Sequence, residues 1–297
     1  MKKYLFFAAI AIAALVSCQK EIVKDEVSVK PGFVKITLSA QSDVDSKASL
    51  NGNQVIWEVG EKVAVFTAAD ASPLEFTVNN VEGTTVKFCG EIPAGTESFV
   101  AAYPYENAVS WDKAKVVTMK VANQAVTAAQ SVDPKALASV AWFTNAEATP
   151  VFKNTLALLK FTVGVDGVKR VKIAAESKGA LAGNVSVTVS ETDAPAVAGA
   201  SAAVIEVACE EGFTKDAPYY AAVIPSEYKG FYVNTYVGED VKLLYTAAEG
   251  TIKRNDVLNL GDVATGAKVV DMITEITNAE ELAFSSSMLP SMNPTPL

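Results

Sequence analysis

Between residues 33 and 262, apolar side chains recur at every second position in short runs. From Phe33 to Ala40, Val34, Ile36, Leu38 and Ala40 share one face, and Lys35, Thr37 and Ser39 share the other. Asn51-Gly52 is a tight-turn signal, after which Val55 and Trp57 follow at period two. Gly60 interrupts the run, and Val63 and Val65 resume it. Leu74, Phe76 and Val78 alternate up to Asn79-Asn80 and Gly83; Val86 and Phe88 come next. Phe99, Ala101 and Tyr103 lead to Pro104, and Val117, Met119 and Val121 close the set. Short strands separated by turn residues at intervals of about 8–12 positions predict an all-β sandwich or barrel.

Asp133-Pro134 breaks the pattern. Asp as an N-cap and Pro at the first helical position predict a short helical turn through Leu137. A boundary is placed at Thr149-Pro150. Beyond it, Ala157, Leu159, Phe161, Val163 and Val165 alternate with Leu158, Lys160, Thr162 and Gly164, and Asp166-Gly167 turns the chain. Val171 and Ile173 return it, and Gly183-Asn184 turns it again into Val185, Val187 and Val189. Thr192 to Ser201 reads as a loop and Val204 to Cys209 as a strand. Tyr220, Ala222 and Ile224 precede Pro225; Phe231, Val233 and Val237, then Val241, Leu243 and Tyr245, then Val257 to Leu260 complete the half. The halves are alike in kind, with no alignable internal repeat. The expectation is two tandem antiparallel β-sandwich domains, 32–149 and 150–264. In the segment 265–297, Asn278-Ala279-Glu280-Glu281 forms a capping box for a short helix to Phe284. Ser285 to Leu297 is Ser- and Pro-rich without charge, the composition of a disordered tail.

The start of the chain obeys a different pattern. Lys2-Lys3 precedes the apolar run Tyr4 to Val16, and Ser17-Cys18 follows. This is the layout of a secretory signal, and the run is shorter than the ~20 residues of a membrane-spanning helix. The cysteine at the cut resembles the lipobox of bacterial lipoproteins. That resemblance implies cleavage after Ser17, a diacylglyceryl thioether on Cys18 and acylation of the new amine. Residues 1–17 are then a signal peptide and 18–31 a lipidated tether, anchored in the outer membrane. Two or three acyl chains on one residue suffice for stable anchoring. Gln19-Lys20-Glu21 resembles the export tag of lipoproteins displayed on the cell surface in the Bacteroides group.

Composition narrows the chemistry. Half of the 297 residues are hydrophobic, enough to build cores for two domains. The formal charge is −9; without Lys2 and Lys3 of the leader, 23 basic and 34 acidic residues leave −11. No cluster of Lys and Arg could neutralise phosphates, which excludes a nucleic-acid partner. The chain has no histidine, so no Ser-His-Asp or Cys-His arrangement can form. Neither a G-x-G-x-x-G nor a phosphate-binding Gly-Lys-Ser/Thr loop is present. Cys89 and Cys209 lack metal-site spacing. They could bridge the two halves, but their apolar neighbours favour two buried thiols. Asp and Glu fall mostly in loops and on polar faces, which reads as solvated surface rather than the carboxylate pair of a glycosidase. No catalytic residue, metal or cofactor is expected. Of the three tryptophans, Trp57 lies on a core phase and Trp142-Phe143 reads as inter-strand packing. Trp111, between Ser110 and Asp112, is the candidate exposed aromatic and ligand contact. It carries the alternative reading, a surface glycan-binding lipoprotein.

Five segments, in order, resemble the fimbrillin family of the Bacteroides group. They are Leu50-Asn51-Gly52-Asn53-Gln54-Val55-Ile56-Trp57-Glu58-Val59-Gly60-Glu61-Lys62-Val63-Ala64-Val65-Phe66; Phe99 to Pro104, ending Ala-Ala-Tyr-Pro; Phe152-Lys153-Asn154-Thr155-Leu156-Ala157-Leu158-Leu159-Lys160-Phe161; Tyr219 to Phe231, with Ile224-Pro225 and Lys229-Gly230-Phe231; and Lys253-Arg254-Asn255-Asp256-Val257-Leu258-Asn259-Leu260-Gly261. The resemblance implies two tandem transthyretin-like β-sandwich domains in a fimbrial subunit or related adhesin without catalysis. It implies transport as a lipoprotein, then proteolytic removal of the N-terminal segment with its first strand. A neighbouring subunit's strand fills the groove, with backbone hydrogen bonds giving affinity and alternate side chains filling pockets. The implied partners are other fimbrial subunits, a host or bacterial surface receptor, and the outer membrane through the lipid on Cys18. Two departures stand out. The family's processing arginine near the first strand is absent: Arg170 and Arg254 lie in the second half, and Lys30, Lys35 and Lys47 are the nearby cations. The alternatives are therefore another protease or a retained, lipidated anchor or accessory subunit. Ile273 to Leu282 resembles the opening of a further adhesin repeat that then stops, which reads as a truncated version of a longer surface protein.

Overall fold

The computed structural model describes residues 29–42, 57–176, 180–199, 201–238 and 240–269. The leader, Cys18, Lys47, the Asn51-Gly52 turn, the capping box and the rest of 270–297 lie outside the described residues. In chain order the strands are β1 (Phe33–Ser42), β2 (Lys62–Thr67), β3 (Asp70–Glu82), β4 (Thr85–Pro93), β5 (Phe99–Tyr103), β6 (Ala108–Trp111), β7 (Val116–Val121), β8 (Gln124–Ala125), β9 (Ser139–Phe143), β10 (Val151–Asn154) and β11 (Ala157–Thr162). The second half continues with β12 (Val168–Ala175), β13 (Gly183–Thr188), β14 (Ala196–Ala198), β15 (Val204–Ala208), β16 (Pro218–Val223), β17 (Ser226–Tyr228), β18 (Phe231–Val237), β19 (Asp240–Thr246), β20 (Gly250–Ile252), β21 (Val257–Asp262) and β22 (Lys268–Val269). The chain is all-β, with single 3-10 turns at Tyr105–Asn107 and Pro134–Ala136. The second is capped as the sequence predicts: Asp133 accepts from the Lys135 amide at 2.9 Å.

Seven strands close a ring in the order β1-β10-β9-β5-β2-β3-β4, with β4 returning to β1. The alternation of β1 points Ile36, Leu38 and Ala40 inward, where all three are buried. Val34, on the same phase, is 40% exposed; the buried register begins one step later than the pattern suggests. Phe76, Phe88, Phe99, Phe143 and Phe152 fill the interior, mostly edge to face. Gly90 occupies an inward position of β4 between Phe88 and Ile92. A Cβ there would sit 2.5 Å from the Phe76 ring, so only glycine admits that phenyl group.

The wall β2–β5–β9 is apolar on both phases because both of its faces are buried. Val63, Val65, Phe99, Ala101 and Phe143 face the ring interior. Ala64, Phe66, Val100, Ala102 and Val140 belong to a second, larger core. That core is enclosed by a six-stranded sheet (β22-β19-β18-β12-β15-β8), a three-stranded sheet (β16-β11-β21), a four-stranded sheet (β14-β13-β7-β6) and the β17–β20 pair. Most ladders are antiparallel, as expected, but β1–β10, β8–β15 and β11–β21 run parallel. The ladders cross position 149/150 in both directions. β7 pairs with β13 and β8 with β15, whereas β10 closes the ring with β1 and β9.

Cys89 lies on β4 and Cys209 follows β15; neither forms a disulfide. Burial pushes the Cys209 thiol above its ordinary pKa. Two carboxylates hold turns. Asp112 accepts the Val116 and Ala114 amides in the β6–β7 hairpin, and these bonds hold its pKa below the ordinary value. Desolvation works against the charge on Asp262. Hydrogen bonds from Thr265, Ala264 and Gly164 outweigh it, and its pKa also lies below the ordinary value.

Candidate functional site

Trp111, the expected exposed aromatic, is buried at 5% exposure in the second core. Its ring and that of Trp142 meet edge to face, with centroids 6.4 Å apart, and its enclosed indole N–H meets no acceptor among the described residues. The polar neighbours that suggested exposure belong to the hairpin: Asp112 caps the turn while β6 turns Trp111 inward. Trp142 is partly buried and packs against the second core, and Phe143 is fully buried in the first, as the packing expectation for this pair has it. Among the described residues, no three Cys, Asp or Glu side chains gather as a metal site needs. No helix among them is long and apolar enough to cross a membrane.

The family-like segments are brought together in pairs. Trp57 packs on Tyr103 at 4.5 Å and Phe152 at 5.0 Å, and donates to Ser42 Oγ at 3.0 Å. The Tyr103 hydroxyl donates to Glu61 Oε1 at 2.6 Å. Burial first, then this carboxylate, raises the phenol's pKa far above its ordinary value. The first and second segments are thereby clasped. The third and fifth meet through Asn154, whose amide donates to Asn255 Oδ1 at 2.6 Å. Asn255, held at φ 68°, donates its own N–H to the Leu156 carbonyl at 2.9 Å. Arg254 reaches the Asn154 carbonyl at 3.2 Å. In the fourth segment, the Tyr228 hydroxyl donates to the Ile224 carbonyl at 2.6 Å. These contacts assign the segments a folding role; no spacing in the sequence announced which would pair.

Two surface features remain. The first is β1. One edge pairs with β4 from Phe33↔Pro93 to Gln41↔Thr85. The other edge pairs with β10 only at Gln41↔Val151 and Ser42↔Phe152. Among the described strands, the ladder on that edge begins at Gln41. The second is a groove of about 450 Å³ between the β9–β10 hairpin and the loop after β13. A shallower hollow of similar volume lies over Phe33, Leu74 and Cys89.

No family model matches the chain, and no curated protein matches its sequence. Several solved structures are similar to the chain at low identity. A candidate cell adhesion protein from Bacteroides uniformis has a TM-score of 0.44 and 16% identity, covering 79% of this chain and 95% of that one. One from Bacteroides thetaiotaomicron has a TM-score of 0.41 and 13% identity, covering 82% and 99%. The tip fimbrial protein Mfa3 of Porphyromonas gingivalis, truncated at its C-terminus, has a TM-score of 0.32 and 8% identity, covering 80% and 98%. Two of these three structures are thus candidate cell adhesion proteins and the third a tip fimbrial protein, each at 16% identity or less to this chain.

Proposed function

We propose that the chain is a non-catalytic cell-surface lipoprotein, a fimbrial subunit or fimbrillin-like adhesin that assembles by β-strand addition. In this reading Cys18 carries the lipid, the outer membrane is the anchor, and other subunits are the partners. The two cores are those of two tandem transthyretin-like sandwiches, the second borrowing β6 to β8 from the chain before residue 149.

The observation that carries the reading is the placement of β1. It fills the ring with Ile36, Leu38 and Ala40, and among the described strands the ladder on its second edge consists of two residue pairs. Its withdrawal would leave the β4 edge unpaired beside a row of vacated apolar pockets. A donated strand of the same alternation satisfies both. The family-like segments support the same reading.

A chain lacking residues 33–42 is expected to lose thermal stability and to recover it with one equivalent of a 31–42 peptide. The same peptide carrying Leu38→Lys is expected not to restore it. An undiminished melting temperature without β1, or no recovery with the peptide, would sink strand addition. Intact mass and N-terminal analysis of protein from its native cell surface tests the anchor. A lipidated Cys18 supports a retained anchor; a start beyond Ala40 without lipid supports a polymerising subunit. Residues 1–17 still attached would overturn the lipoprotein reading.

A further inference from the structure

A groove lies between the β9–β10 hairpin and the 189–195 loop. Trp142, Pro150, Val151 and Val189 are its apolar lining residues. Trp142 meets Trp111 edge to face, with centroids 6.4 Å apart, a contact that favours one orientation of the two rings. Thr144, Thr149, Thr192 and Glu191 are its hydroxyl- and carboxylate-bearing lining residues. At about 450 Å³ the space falls within the usual range of small-ligand pockets, roughly 300–1,000 Å³.

The loop forming the far wall is held in place. Lys153 Nζ donates to the carbonyls of Asp193 at 2.7 Å and Glu191 at 3.4 Å. Ser190 Oγ accepts from the Asp193 amide at 3.2 Å and donates to the Asp193 carboxylate at 3.0 Å. The Val189 amide is bonded to the Lys115 carbonyl at 2.7 Å. The Glu191 side chain takes no part in this anchoring and stays exposed.

We infer that this groove binds a neutral oligosaccharide, with a pyranose ring lying on Trp142. A sugar presents an apolar C–H face and a periphery of hydroxyls, which matches a lining of one aromatic ring with hydroxyl- and carboxylate-bearing side chains. The two acceptor oxygens of Glu191 suit adjacent sugar hydroxyls. Glu191 and Asp193, in a chain of net charge −9, disfavour a sialylated or sulfated sugar. A peptide strand fits less well: β10 already pairs with β9 at Lys153↔Val140 and with β1 at Gln41↔Val151. The inference goes beyond assembly by strand addition, since it needs neither removal of β1 nor a second subunit.

The test uses the full chain, extracted in non-ionic detergent, on an array of defined oligosaccharides. The array holds neutral host O-glycan cores, xylo- and manno-oligosaccharides, and sialylated counterparts. The best neutral binder is then titrated by calorimetry. Trp142→Ala is expected to weaken it about tenfold or more, the equivalent of ~1.4 kcal/mol. Glu191→Gln, an exposed change that leaves the fold intact, is expected to weaken it several-fold. Binding confined to sialylated sugars, absence of binding to any sugar, or undiminished affinity in Glu191→Gln overturns the inference. Because the readout is sugar binding by the unprocessed chain, each of these leaves strand addition untouched.

Discussion

Trp57→Ala is expected to destabilise the protein by about 3–5 kcal/mol, the usual cost of truncating a large buried aromatic. Trp57 is 6% exposed and stands where three strands of the ring meet. It touches Tyr103 at the end of β5 and Phe152 on β10, and bonds Ser42 at the end of β1. Tyr103 in turn is tied to Glu61, so the indole holds one end of a chain of contacts rather than a single neighbour. Trp57→Phe separates the two parts of the effect. It keeps most of the apolar volume but leaves the Ser42 hydroxyl without its donor, a loss of about 1 kcal/mol. Val59, two residues on, is 69% exposed, and Val59→Ala is expected to stay within about 0.5 kcal/mol of the parent. Urea unfolding at equal slope measures all three. A Trp57→Ala protein with the parental midpoint would show that this corner of the ring carries no stability.

The alternation of apolar residues located most long strands because it reports which face of a strand is buried. It could not report the partner. Val117, Met119 and Val121 alternate cleanly, yet nothing local says that β7 pairs with β13 rather than a strand of the ring. β5 reads as apolar on both phases, which a buried wall and a strand of either domain explain equally well. β8 and β22, at two residues each, are too short to carry a period. The polar sequence neighbours of Trp111 suggest a surface position, but those neighbours belong to a turn and the tryptophan to the strand entering it. The groove was invisible for a related reason. Trp142 and Glu191 stand on segments that only the crossing ladders bring together, and the anchoring bonds from Lys153 go to backbone carbonyls that any residue supplies.

Gln124 shows the same limit in a single side chain, and its replacement gives the second large effect. It is 2% exposed, and its amide acts as one rung of a ladder to β16. Nε2 donates to the Ala222 carbonyl at 2.7 Å, and Oε1 accepts from the Ala222 amide at 2.9 Å. β16 is the outer strand of its sheet, so these two groups depend on Gln124 for their partners. Gln124→Met keeps the length of the side chain and strips both bonds. Two buried backbone groups left unpaired at about 1–3 kcal/mol each give an expected loss of roughly 2–6 kcal/mol. Gln124→Glu still accepts from the amide but cannot donate when ionised, and it brings a charge into the interior, so it is expected to be no better. Gln41→Met, at an exposed position of β1, serves as the control, with a change within about 0.5 kcal/mol. Hydrogen exchange gives the local readout: the Ala222 amide should exchange faster in Gln124→Met than in the parent, while amides inside the ring keep their protection. β8 comes from the chain before residue 149 and β16 from the chain after it. A loss felt only around the second core would mean that the two cores open separately although their strands are exchanged. Faster exchange at Leu38 and Phe88 as well would mean that the shared wall β2–β5–β9 makes them one cooperative unit.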